Sequence, residues 1–258
     1  MIKRATHNNK TITFSEILHT YTLDDSSQQF ISGTQFIGKY FPTFDKEKWS
    51  AFVADRDGIT IEQVLEKWDK EKVRGTTSGT NVHLYAEKLI EGKQNLPLPS
   101  SDREKKLFYK VNIAVVALLK NFKFIEAEKI VFSPNLGVAG TIDLLMFDPA
   151  TLTVIILDWK QNKKISKVNN YDSALYPIDH LEDTDLNKYA MQLNLYQRIL
   201  EEESYFPGAT GGFKRVLVHL TSDYSIKNKI IKLPDMQVEI NNMLKNYFYK
   251  ESITAWKK

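Results

Sequence analysis

The chain has 258 residues, 42% hydrophobic and 26% charged, with a formal net charge of +3; that suits an ordinary soluble protein with one mixed core, alone or with an appended lobe. It has no cysteine, which excludes disulfides and thiolate catalysis and leaves imidazole, carboxylate, carbonyl or water to hold any ion. The small positive charge permits a basic groove without requiring one, and with no membrane-spanning run and no apolar stretch after Met1-Ile2-Lys3-Arg4, an intracellular protein is expected.

Residues 1–35 read as short strands and turns around Thr11-Ile12-Thr13-Phe14 and Tyr21-Thr22-Leu23. From Thr34 to about Trp68 the pattern is helical. Asp45 is placed to cap a helix carrying Trp49, Phe52 and Val53. Thr60-Ile61-Glu62-Gln63 has the form of a capping box ahead of Val64, Leu65 and Trp68. Segment 1–74 is therefore expected to be a mainly helical extension, and 75–258 the core. Arg74-Gly75-Thr76-Thr77-Ser78-Gly79 reads as a break, followed by a helix over about 79–91 that Gly92 ends. After the loop at Pro97-Leu98-Pro99, a helix over 102–122 carries Leu107, Val111, Val115, Leu118 and Phe122 on one stripe.

The centre of the chain changes character. Phe124–Phe132, Val138–Phe147 and Thr153–Trp159 are rich in β-branched and aromatic residues. Ser133-Pro134-Asn135 and Asp148-Pro149-Ala150 separate them, predicting three consecutive antiparallel strands. Residues 161–186 form a long polar connection of a kind uncommon in compact domains unless it is functional or disordered. A helix over 187–203, a strand over 215–221 and a last helix with Met236, Ile240, Met243, Leu244 and Tyr247 complete the chain. The fold class is mixed α/β, with the core order αβββαβ.

Asp158-Trp159-Lys160 closes the apolar run Val154-Ile155-Ile156-Leu157. Residues two apart on a strand share a face, so Asp158 and Lys160 stand side by side with Trp159 opposite. Charges beside a buried strand need partners. Asp143 follows Gly140-Thr141-Ile142 on the preceding strand, and a hairpin near 148–153 brings it alongside Asp158. Converging carboxylates call for a divalent cation. Other matches to the same spacing, Glu91-Gly92-Lys93 and Glu104-Lys105-Lys106, read as exposed helix charges. His83, four residues after Gly79, shares a helix face with Glu87. Gln192 and Tyr196 share a face of the later helix, with Lys188 one turn before. Taken singly, each of these has a bland reading as a surface ion pair, a surface histidine or a packed tyrosine.

Together the four motifs resemble the RecB-type branch of the PD-(D/E)xK nucleases: Gly79…His83, Gly140-Thr141-Ile142-Asp143, Asp158-Trp159-Lys160 and Gln192…Tyr196, in the family's order over about residues 75–222. Ile142 stands where the superfamily's name has proline. The resemblance implies a restriction-endonuclease-like core and a Mg²⁺- or Mn²⁺-dependent deoxyribonuclease acting in recombination, repair or replication. It implies His83, Asp143, Asp158 and the Trp159 carbonyl as metal ligands, and Lys160 as the residue that orients water and stabilises developing charge. Glu87, Gln192 and Tyr196 would support the site or position the substrate. One of Glu126 and Glu128 is expected to point inward, without the sequence saying which. Lys163, Lys164 and Lys167, then Tyr171 and Tyr176, follow Lys160 directly. Cations followed by aromatics suit a DNA strand held by phosphates and stacked bases, which favours an end-processing exonuclease. A structure-selective endonuclease and a non-catalytic nucleic-acid binder are the alternatives, and segment 1–74 is a candidate for guiding DNA.

Overall fold

The structure is a computed structural model that describes residues 2–256, with side chains described for 2–253. The first four strands, β1 (Ile2–His7), β2 (Lys10–Ser15), β3 (Thr20–Leu23) and β4 (Gln29–Ser32), form an antiparallel meander. Asn8 and Asn9, both at positive φ (48° and 60°), make the β1–β2 turn, the backbone that tight hairpins require. Ile12, Tyr21, Leu23 and Phe30 bury one face of the meander against Ile130, Phe132 and Ala139. The short strands read over residues 1–35 are present, and the description of segment 1–74 as mainly helical is corrected to apply only beyond Ser32.

Three helices follow: α1 (Gly33–Gly38), α2 (Lys46–Asp57) and α3 (Ile61–Ile90). Asp45 caps α2 by accepting from the Lys48 amide, and Thr60 with Gln63 forms the capping box of α3. The break expected at 74–79 does not occur, because α3 runs unbroken for 30 residues. Gly costs a helix about 1 kcal/mol relative to Ala. Against that, Val82, Tyr85, Ala86 and Ile90 pack on α4 (Asp102–Asn121) and the sheet. The 74/75 position therefore lies inside a helix.

Next come β5 (Lys123–Ser133), β6 (Val138–Asp148), β7 (Thr153–Lys160), α5 (Asp185–Glu202), β8 (Phe213–His219), the short edge strand β9 (Lys229–Lys232) and α6 (Gln237–Trp256). All nine strands join one mixed sheet in the order β1-β2-β3-β4-β6-β7-β8-β9, with β5 paired to β6. β4–β6 and β7–β8 are parallel, and β5–β6 and β6–β7 antiparallel. The residues of β7 alternate between two cores. Val154 and Ile156 face the α1, α5 and α6 side, while Ile155, Leu157 and Trp159 face α3 and α4. The sheet is thus sandwiched by helices, and the end of β7 projects between the two layers. The 161–184 connection has little regular structure, yet it is packed: Ile165, Ala174 and Ile178 are buried in the core, and Ser166 and Asp185 exchange two hydrogen bonds. Among the described residues, no helix is long and apolar enough to cross a membrane.

Candidate metal centre

β6 and β7 pair from Asp148↔Thr153 up to Leu144↔Leu157. Asp143 and Asp158 are the next residues of the two strands beyond that pairing. The Trp159 amide donates to Asp143 Oδ2 at 2.8 Å. On the other side of β6, Ala127↔Leu144 and Lys129↔Ile142 bracket Glu128 opposite Asp143. Glu128 has a left-handed φ of 48°, which costs a non-glycine residue on the order of 1–3 kcal/mol. Glu126 points away and bonds Lys129 at 2.6 Å. Glu128 is therefore the inward acid that the sequence left undecided.

α3 brings His83 over this pair. Its Nδ1 lies 3.5 Å from Asp143 Oδ2 and 3.7 Å from Glu128 Oε1. Its Nε2 lies 3.2 Å from the Trp159 carbonyl. A proton on Nε2, donated to that carbonyl, would leave Nδ1 free to face the two carboxylates. One ligand atom each from His83, Glu128 and Asp143 falls within 4.8 Å of the others. Asp158 stands beside this trio and is held by Lys160, whose Nζ lies 2.9 Å from Oδ1 and 2.7 Å from Oδ2. Oδ2 is buried and meets that ammonium outside hydrogen-bond geometry, so one side of the Asp158 carboxylate lacks a donor.

The electrostatics follow from this crowding. Burial holds Asp143 and Asp158 above the usual carboxylate range, against the pull of His83 and Lys160. Burial works against the His83 cation, but the carboxylates of Asp143, Glu128 and Asp158 outweigh it and raise its pKa to about 9. Lys160 is likewise desolvated, yet Asp158 and Asp143 keep it above its ordinary value. Its ammonium also lies 4.6 Å from the Tyr189 ring centroid, and the Tyr189 hydroxyl accepts from Asn162 at 2.8 Å. On α5 it is thus Tyr189 that reaches this site, while Lys188 pairs with Asp183 at 2.5 Å.

The remaining expected residues have definite places. Glu87 is half-buried, its carboxyl raised by burial and by the charge of Glu128, and it lies outside the close trio. Gln192 donates to the Tyr196 hydroxyl at 3.1 Å. Tyr196 is buried, and its Cε1 would overlap a Cβ at Gly140 and sit 2.7 Å from one at Gly33. Glycine is needed at Gly140 because the Tyr196 ring fills the side-chain space. A Cβ at Gly79 would lie 3.0 Å from Gln161 Nε2, so the start of the histidine motif and the residue after Lys160 meet as well. Lys163, Lys164, Lys167, Tyr171 and Tyr176 are exposed, and Lys163 reaches Glu71 at 3.7 Å.

The reading of Glu104 as an exposed charge is corrected. It is 2% exposed and accepts from the Ser100 amide and hydroxyl and from Asn81. It ties α3 to the start of α4, a contact without a local sequence signature because it depends on how two helices pack.

One imidazole among partly buried carboxylates fits a hard divalent ion such as Mg²⁺ or Mn²⁺. His83, Glu128 and Asp143, with Asp158 adjacent, are the residues that could hold it. No family model matches the chain, and no curated protein matches it. A solved structure similar to it is a Eubacterium rectale protein provisionally named an exonuclease, 14% identical, covering 70% of this chain and 65% of that one, with a TM-score of 0.39. At that level of similarity the functional reading rests on the site itself.

Proposed function

We propose that the protein is a metal-dependent deoxyribonuclease with a PD-(D/E)xK-type core, acting as an end-processing exonuclease. The observation that carries this reading is the convergence of His83 from α3, Glu128 from β5 and Asp143 from β6 beside the Asp158–Lys160 pair at the end of β7. Phosphodiester hydrolysis needs an activated water and compensation of new negative charge. A Mg²⁺ or Mn²⁺ ion held by the carboxylates supplies Lewis acidity for both. The chain supplies the rest. Lys160, held by Asp158 and backed by the Tyr189 ring, keeps an ammonium where developing charge on the phosphate can meet it. The hydrogen bond from the Trp159 amide to Asp143 and the His83–Trp159 contact hold two ligand side chains in orientation.

The exonuclease assignment is supported by the segment that leaves Lys160. It is a packed loop with exposed lysines and two exposed tyrosines, suited to the phosphates and bases of a strand. Digestion of end-labelled linear single strands, linear duplexes and closed circles in Mg²⁺, Mn²⁺ or EDTA tests both parts. Linear DNA should shorten from its ends in either metal, with EDTA abolishing the reaction. Closed single-stranded circles cut as fast as linear strands would make it an endonuclease. Cleavage in EDTA after metal stripping would remove the metal-dependent reading altogether.

A further inference from the structure

Beside the metal centre, a cleft of about 530 Å³ opens between α3, the start of α4 and the loop after β7, with Glu71, Arg74, Arg103, Gln161, Lys163 and Lys164 on its walls. Four cations face one carboxylate there. Glu71 lies 2.5 Å from Arg74 and 3.7 Å from Lys163. Among the described residues Arg103 and Lys164 have no carboxylate within ion-pair distance. Arg103 donates weakly to the Gln161 carbonyl at 3.4 Å, and its Nε is buried without a hydrogen-bond partner. Burial and the nearby Arg74 both push the Arg103 guanidinium below its ordinary pKa. Like charges held together with an unused donor are the condition an anion relieves, and paired guanidiniums match phosphate in shape as well as charge.

Position narrows the anion. Gln161 directly follows Lys160, and Arg74 precedes His83 by nine residues on the same helix, about 13 Å along its axis. A strand with one phosphate at the metal centre would lay a phosphate further along its backbone in the cleft. We infer that the cleft is a phosphate subsite for the nucleic-acid strand, formed by Arg74, Arg103, Lys163 and Lys164, with the Glu71 carboxylate competing for the same cations. The inference rests on the nuclease reading for the identity of the strand. The phosphate is either an internal diester or a terminal monoester.

The test is fluorescence anisotropy of labelled single-stranded oligonucleotides bearing hydroxyl ends, a 5′-phosphate or a 3′-phosphate, measured in EDTA across a salt series. Arg103→Gln should weaken binding about tenfold and flatten the salt dependence by about one unit of slope. Arg103→Lys should recover part of the loss, and Glu71→Gln should tighten binding. Equal loss with all three probes identifies an internal diester, and loss confined to one phosphorylated end identifies a terminal monoester. The metal-induced rise in melting temperature should be the same in Arg103→Gln as in the wild type. If Arg103→Gln fails to fold, Lys164→Gln, altered at an exposed position, carries the same comparison. Wild-type affinity and salt slope in folded Arg103→Gln and Lys164→Gln would overturn the subsite. Mn²⁺-dependent cleavage by the wild type is followed in parallel. Arg103-dependent binding without hydrolysis would keep the subsite and remove the nuclease reading, and hydrolysis indifferent to Arg103 would do the reverse.

Discussion

Glu128 faces Asp143 across the β5–β6 ladder, between the pairs Ala127↔Leu144 and Lys129↔Ile142, on a backbone turned to φ 48°. A carboxylate in a left-handed conformation opposite another carboxylate opposes folding twice, through strain and through like charge. Such positions persist where function requires them. Glu128→Gly removes both costs, so the metal-free variant should melt above the wild type. Its metal requirement for cleavage should rise by ten- to a hundredfold or more, about what loss of a supporting residue costs a metal site. A lower melting temperature together with an unchanged metal titration would show that Glu128 serves the fold.

Metal should stabilise the protein as well as activate it. Binding to the folded state alone adds about 2.7 kcal/mol at a hundred times the dissociation constant. Mg²⁺, Mn²⁺ and Ca²⁺ should each raise the melting temperature of stripped protein, and Ca²⁺ should do so without supporting cleavage. His83→Ala should shift the Mn²⁺ midpoint of both readouts upward. An unchanged midpoint would return His83 to an ordinary packing role.

Lys160→Ala should abolish single-turnover cleavage while the chain still folds. It leaves Asp158 buried without its ammonium, which costs about 3–5 kcal/mol when one member of a buried pair is removed. The metal-free variant should therefore melt lower than the wild type, and added metal should recover part of the difference. Lys106→Ala, in the competing Glu104-Lys105-Lys106 match, should leave cleavage untouched.

Glu104 gives a pH test away from the site. Burial opposes its charge, but the hydrogen bonds from Ser100 and Asn81 hold its pKa below the usual glutamate value. A depressed folded pKa adds stability that is fully present above the unfolded pKa of about 4.3. That stability is lost as pH falls through the folded value. The melting-temperature gap between wild type and Glu104→Gln should be constant from pH 7 to about pH 5.5 and should narrow below about pH 4. A gap that widens on acidification would contradict the assignment.

Gly140→Ala should destabilise by about 1–3 kcal/mol, the usual cost of overpacking a core, because its Cβ would enter the Tyr196 ring. In a double mutant with Tyr196→Ala, the cost of Gly140→Ala should largely vanish, a non-additivity measurable by urea unfolding. Full additivity would mean that glycine is needed there for another reason.

Local periodicity and residue spacing carry a large part of this architecture. The three central strands, the flanking helices and the placing of Asp143 and Asp158 on neighbouring strands follow from alternation, turn residues and the fixed two-residue repeat of a strand. The placing of Gly79, His83, Gly140, Lys160 and Tyr196 in one ordered set was equally legible. The remainder emerges from packing. Whether Glu126 or Glu128 turns inward depends on a bulge near Ile125 and a left-handed residue, neither of which leaves a compositional trace. The continuity of α3 through Gly75 and Gly79 depends on the burial of its later turns against α4, which outweighs local helix propensity. The burial of Glu104, the contact of Lys160 with Tyr189 and the meeting of Arg74, Arg103 and Lys163 join residues far apart in the chain. Contacts of that kind are set by how the layers pack, and no local sequence pattern carries them.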